Sequence, residues 1–144
     1  MKAPVPPVPT GRELLEQFRS CTILPSHFGH AQHIEVAWHY VRRWPLLEAM
    51  ARFDRDLEKL ATHLGATNFH RTITCAFLVL IHDHASRLPR DHTFETFRTH
   101  AMELFEGSRV TLAAHYSAER LADAEARRSF VLPDLCPASH DAFR

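Results

Sequence analysis

The stretch FGHAQHIEVAWHYVRRW, Phe28 to Trp44, carries apolar residues at the spacing of a helix. Gly29 reads as a turn, and behind it Ile34, Ala37, Trp38 and Val41 recur three and four positions apart, the mark of an amphipathic helix. His30 and His33 stand three apart in its first turn. Side chains at that spacing are neighbours, with Cβ atoms about 5–6 Å apart, so both imidazoles can face one object. Pro45 disfavours a helical Trp44. The helix is therefore expected from about Ala31 to Arg43, and Pro45 suits the first position of the next one.

That next helix is expected to reach about His63. Leu46, Leu47, Met50, Phe53, Leu57, Leu60 and Leu64 form its apolar stripe, and Gly65 is a natural C-terminal stop. Asn68 is a suitable N-cap for a fourth helix, Phe69 to Arg87, whose centre TITCAFLVLIH is apolar nearly all round. A length near eighteen residues favours a central helix over a buried strand. Thr93 caps a fifth helix to Glu106 on the same reasoning, and Ser117 caps AERLADAEARRSF. Upstream, Gly11 to Cys21 reads as a helix capped by Thr10 and buried through Leu14, Leu15 and Phe18. The four prolines of residues 1–10 predict an extended, disordered start. The fold expected is an all-α, single-domain bundle of five or six helices spanning 11–144.

Composition narrows the function classes. A chain of 144 residues with 45% hydrophobic residues has material for one core. Seventeen basic residues balance seventeen acidic ones, which argues against a nucleic-acid partner. The longest apolar run, Cys75 to Ile81, falls far short of the roughly 20 residues a membrane span needs, and no apolar signal-peptide centre follows Met1. Cys21, Cys75 and Cys136 are dispersed and odd in number, so no disulfide framework is expected and a reducing cytoplasm is the default location. A homo-oligomer is compatible with all of this.

Twelve histidines are unusual for this length. His70 opens the fourth helix and shares a strip with Thr74 and Phe77. Three histidines from two helices make a common first shell for zinc, iron or copper. His30, His33 and His70 are accordingly the candidate ligands of a divalent transition metal. An open position on it would polarise a substrate oxygen or generate a hydroxide. At about 100° per residue, Tyr40 lies on the strip of His33. Tyr40 and Thr74 are therefore expected to line the pocket of a small-molecule substrate. The plainer alternative is a buried His70 bonded to a carbonyl. His39, His63, His92, His115 and His140 read as surface or loop residues, and His100 with Glu103 as an exposed pair.

Two resemblances follow. The phrases HAQHIEVAWHYVRR, FHRTIT and HYSAERLADAEARRSFVLPD together resemble a family of small all-helical, histidine-containing bacterial proteins. The likeness runs from about Phe28 to Asp134. It implies one domain and gives weight to His30, His33 and His70, but it carries no activity. The doublet His82-Asp83 after FLVLI also resembles the HD phosphohydrolase superfamily, which is all-helical and binds metal. That likeness implies His33, His82, Asp83 and Asp123 as ligands. It departs from the usual pattern in the extra helix between His33 and His82 and in His84 after the doublet.

The function expected is therefore a metal-dependent enzyme acting on a small molecule, by hydrolysis or by oxidation at iron or copper. An HD-type phosphohydrolase and a non-catalytic helical binding or dimerisation module are the alternatives.

Overall fold

The computed structural model describes residues 4–135; Cys136 and His140 lie outside them. The protein is all-α. Among the described residues eight α-helices and two short 3-10 segments follow one another, and five of the helices have seven or more residues.

Helix α1 (Gly11–Ser20) buries Leu14 and Phe18. Thr10 makes no side-chain cap; the Gly11 N–H donates to the carboxylate of Glu35, at 2.6 Å. Pro9 is buried beside this start, and residues 4–10 form no helix. A 3-10 turn, Pro25–His27, leads to Gly29, whose N–H donates to the side chain of Gln32. Helix α2 (His30–Arg43) begins there and stops before Pro45.

Helix α3 (Leu46–Leu64) buries Ala49, Phe53, Leu57 and Leu60, and ends at Gly65 with φ 69°. Only glycine adopts that left-handed conformation without steric cost. Leu47, expected in the buried stripe, is 80% exposed. It sits in the first turn, one residue round from the face that meets the core.

Helix α4 (Arg71–Ser86) is the centre of the bundle. It packs against α2, α3, α5 (Phe94–His100), α6 (Ser108–Leu112) and α8 (Ala124–Arg128). Neighbours on several sides explain its nearly continuous apolar sequence. The buried Thr72 hydroxyl donates to the Ser129 carbonyl and accepts from the Val131 N–H, fastening the C-terminal coil to α4.

Two expected helices are divided. Helix α5 stops at Ala101, and a 3-10 segment, Met102–Glu106, continues to Gly107 at φ 119°. The segment after Ser117 breaks at Asp123 into α7 (Ala118–Ala122) and α8. Asp123 caps the second piece by accepting from the Glu125 N–H, and a capping side chain ends one helix by starting another. No helix among the described residues is long and apolar enough to cross a membrane.

Candidate functional site

The packing of α2 beside α4 brings the histidine-bearing starts of both helices to one cavity. It has a volume of about 580 Å³ and lies between α2, α3 and α4. Its walls are Ile34 and Ala37 from α2, Phe53, Leu57 and Leu60 from α3, and Ile73 and Phe77 from α4. Exposed residues of two connections, Pro25 and Gly29 on one side and Ala66 and Asn68 on the other, form its rim. The polar side chains on its lining are His30, His33, Asn68, His70 and Thr74.

Backbone carbonyls fix the protons of these rings, because a carbonyl can only accept. The Nε2–H of His30 donates to the Leu104 carbonyl at 2.7 Å, and the ring stands edge-on to Phe77. The Nδ1–H of His33 donates to the Gly29 carbonyl at 2.8 Å, while its ring lies against Phe28 with centroids 4.0 Å apart. One nitrogen of each ring, Nδ1 of His30 and Nε2 of His33, keeps a lone pair with no partner among the described residues. Burial lowers the His33 pKa below its ordinary value; the Gly29 carbonyl opposes this, and the neighbouring His30 adds to it. His33 is therefore neutral at pH 7.

His70 is used differently. Its Nδ1 accepts from the Ile73 N–H at 3.1 Å, so the imidazole itself is the N-cap of α4. Its Nε2–H donates to the Leu121 carbonyl at 2.7 Å. Both nitrogens are engaged, and neither has a lone pair to give a metal. Among the described residues no three histidine, cysteine, aspartate or glutamate side chains gather closely enough to hold one ion. His30 and His33 each have a nitrogen suited to a metal; His70 does not without losing its cap. Asn68, the expected cap of α4, lies instead at the rim.

Thr74 lines the cavity, with its hydroxyl donating to the His70 carbonyl at 2.9 Å. Tyr40 does not. It shares the angular position of His33 but sits two turns, about 10 Å, further along α2, beyond the cavity and under α1. There it packs between Phe18 and Phe53 and donates its hydroxyl to Asp56 at 2.6 Å. Burial and that carboxylate raise the phenol pKa.

The HD-like residues form no close group of three. Asp83 is exposed and paired with Arg87 at 2.9 Å, about 20 Å along α4 from His70. Asp123 serves as the cap of α8. Two further histidine readings change. His92 is buried and accepts from the indole N–H of Trp38 at 3.0 Å. Glu103 approaches Nε2 of His84 at 2.8 Å, and Nδ1 of His84 meets Nδ1 of His100 at 3.1 Å.

The Leu104 and Leu121 carbonyls, which hold His30 and His70, are invisible to a motif search, since every residue offers a carbonyl. No protein-family model matches the chain, and comparison with curated proteins and with solved structures gives no match.

Proposed function

We propose that the protein binds one small, largely apolar molecule in the cavity between α2, α3 and α4 and acts on it as an enzyme, with Nε2 of His33 as the proton acceptor. The supporting observation is an apolar cavity of about 580 Å³ lined by a neutral histidine whose second nitrogen has no protein partner. Such a cavity is of the size that takes a small ligand, and a few convergent polar groups then set its orientation. A general base needs an accessible lone pair near neutral pH, and His33 has one held in place from the other side of its ring.

The uncharged dye N-phenyl-1-naphthylamine tests the binding half by its fluorescence. Saturable binding at one site is expected, weakened strongly by Ala61→Trp, which fills the cavity from α3. Absence of saturable binding, or binding indifferent to Ala61→Trp, would remove this reading and leave a helical interaction module.

A second reading keeps a divalent zinc, iron or copper ion, held by Nδ1 of His30 and Nε2 of His33. The two lone pairs in adjacent rings favour it, and the metal would supply Lewis acidity beside the bound molecule. Zinc uptake by metal-stripped protein is the measurement. Loss of uptake in both His30→Ala and His33→Ala, with retention in His70→Asn, is the pattern that supports it. Uptake lost only in His70→Asn would contradict it.

A further inference from the structure

The cavity is apolar and one-sided in its hydrogen bonding. Apart from histidine, no ionisable side chain among the described residues lines it. His70 has both nitrogens engaged, and the Thr74 hydroxyl has given its proton to the His70 carbonyl. Asn68, which can donate, is exposed at the rim. The free side-chain groups within are acceptors: Nδ1 of His30, Nε2 of His33 and the oxygen of Thr74, whose proton is engaged.

We propose that the cavity selects an uncharged apolar molecule whose polar group is a hydrogen-bond donor, a hydroxyl above all, received by Nε2 of His33. This rests on the cavity being the binding site. Inside the rim a carboxylate would meet lone pairs and no free side-chain donor among the described residues. An ammonium would be buried without a counter-charge, and an unpaired charge in apolar surroundings is strongly disfavoured. An ether or ketone of the same shape would fill the volume but leave the acceptors unmatched. The helix starts of α2 and α4 near the rim pull the other way, since helix N-termini favour anions. The two tendencies predict opposite ligand rankings.

Three probes of one shape decide between them on metal-stripped protein: 2-naphthol, 2-methoxynaphthalene and 2-naphthoate, each titrated by fluorescence at pH 7.5. Binding of 2-naphthol about tenfold tighter than either of the others is expected, the effect of one net hydrogen bond. His33→Phe should abolish the preference, bringing the ratio of 2-naphthol to 2-methoxynaphthalene affinity to about one. Equal binding of 2-naphthol and 2-methoxynaphthalene, or tightest binding of 2-naphthoate, overturns the donor rule while the cavity reading stands. If none of the three binds, and N-phenyl-1-naphthylamine does not either, both fall together.

Discussion

The Nε2–H of His70 donates to the carbonyl of Leu121 across 2.7 Å, and through that bond the start of α4 holds the end of α7. The opposite nitrogen of the same ring caps α4 at Ile73. One imidazole thus joins two elements distant in sequence, and it can do so only as the neutral Nε2–H tautomer. His70→Ala removes a helix cap and leaves a carbonyl without its partner, at a combined cost of about 2–3 kcal/mol. The urea unfolding midpoint should fall accordingly. His70→Asn, whose short amide keeps the cap but cannot reach Leu121, should recover about 1 kcal/mol of the loss. An alanine variant as stable as wild type would show that the bond to Leu121 is not holding the helices.

His33 predicts a pH dependence with a definite sign. Burial lowers its pKa in the folded chain below the ordinary 6.5. Just under pH 6.5 the unfolded chain therefore takes up a proton that the folded chain refuses. Stability is full above about pH 6.5, declines as acid passes through that value, and levels off below the folded pKa. His39, also lowered by burial, acts in the same direction. Unfolding midpoints from about pH 7.5 to 5 should fall less steeply in His33→Gln than in wild type. Identical slopes would contradict the burial of His33.

Tyr40 separates stability from binding. Its hydroxyl donates to Asp56 away from the cavity. Tyr40→Phe should cost about 2 kcal/mol of stability, the range for a bond to a charged acceptor. Affinity for N-phenyl-1-naphthylamine should stay unchanged at a temperature where both proteins are folded. A large loss of dye affinity would return Tyr40 to the site.

Asp83 tests the HD likeness. Its exposed pairing with Arg87 is of a kind worth less than about 1 kcal/mol. Asp83→Asn should therefore leave stability and zinc uptake alike nearly unaltered. Loss of metal binding in this variant would favour the HD arrangement over the cavity.

Much of the fold was legible because local chemistry and packing agree. Pro45 and Gly65 bound α3, Thr93 and Ser117 cap their helices, and the continuous apolar run of α4 marks the element with neighbours on several sides. The misread positions are those where a distant group overrides a local signal. Thr10 was a suitable cap, but Glu35 from α2 takes its place. Asn68 was another, and His70 does that work through its own ring. The starts of α2 and α4 were expected to share a site, and both line the cavity. The plainer reading of His70, buried and bonded to a carbonyl, holds; which carbonyl stands opposite each histidine nitrogen was not legible. Tyr40 shows the limit of angular reasoning: the helical wheel gives direction, while distance along the axis decides which side chains meet.

The most direct test is the imidazole 15N spectrum of metal-stripped protein, recorded with and without 2-naphthol. The free protein should show His33 as the Nδ1–H tautomer with a bare Nε2, and saturating 2-naphthol should shift that Nε2 resonance while His70 remains unmoved. Saturation of the ligand without any change at His33 would contradict the account.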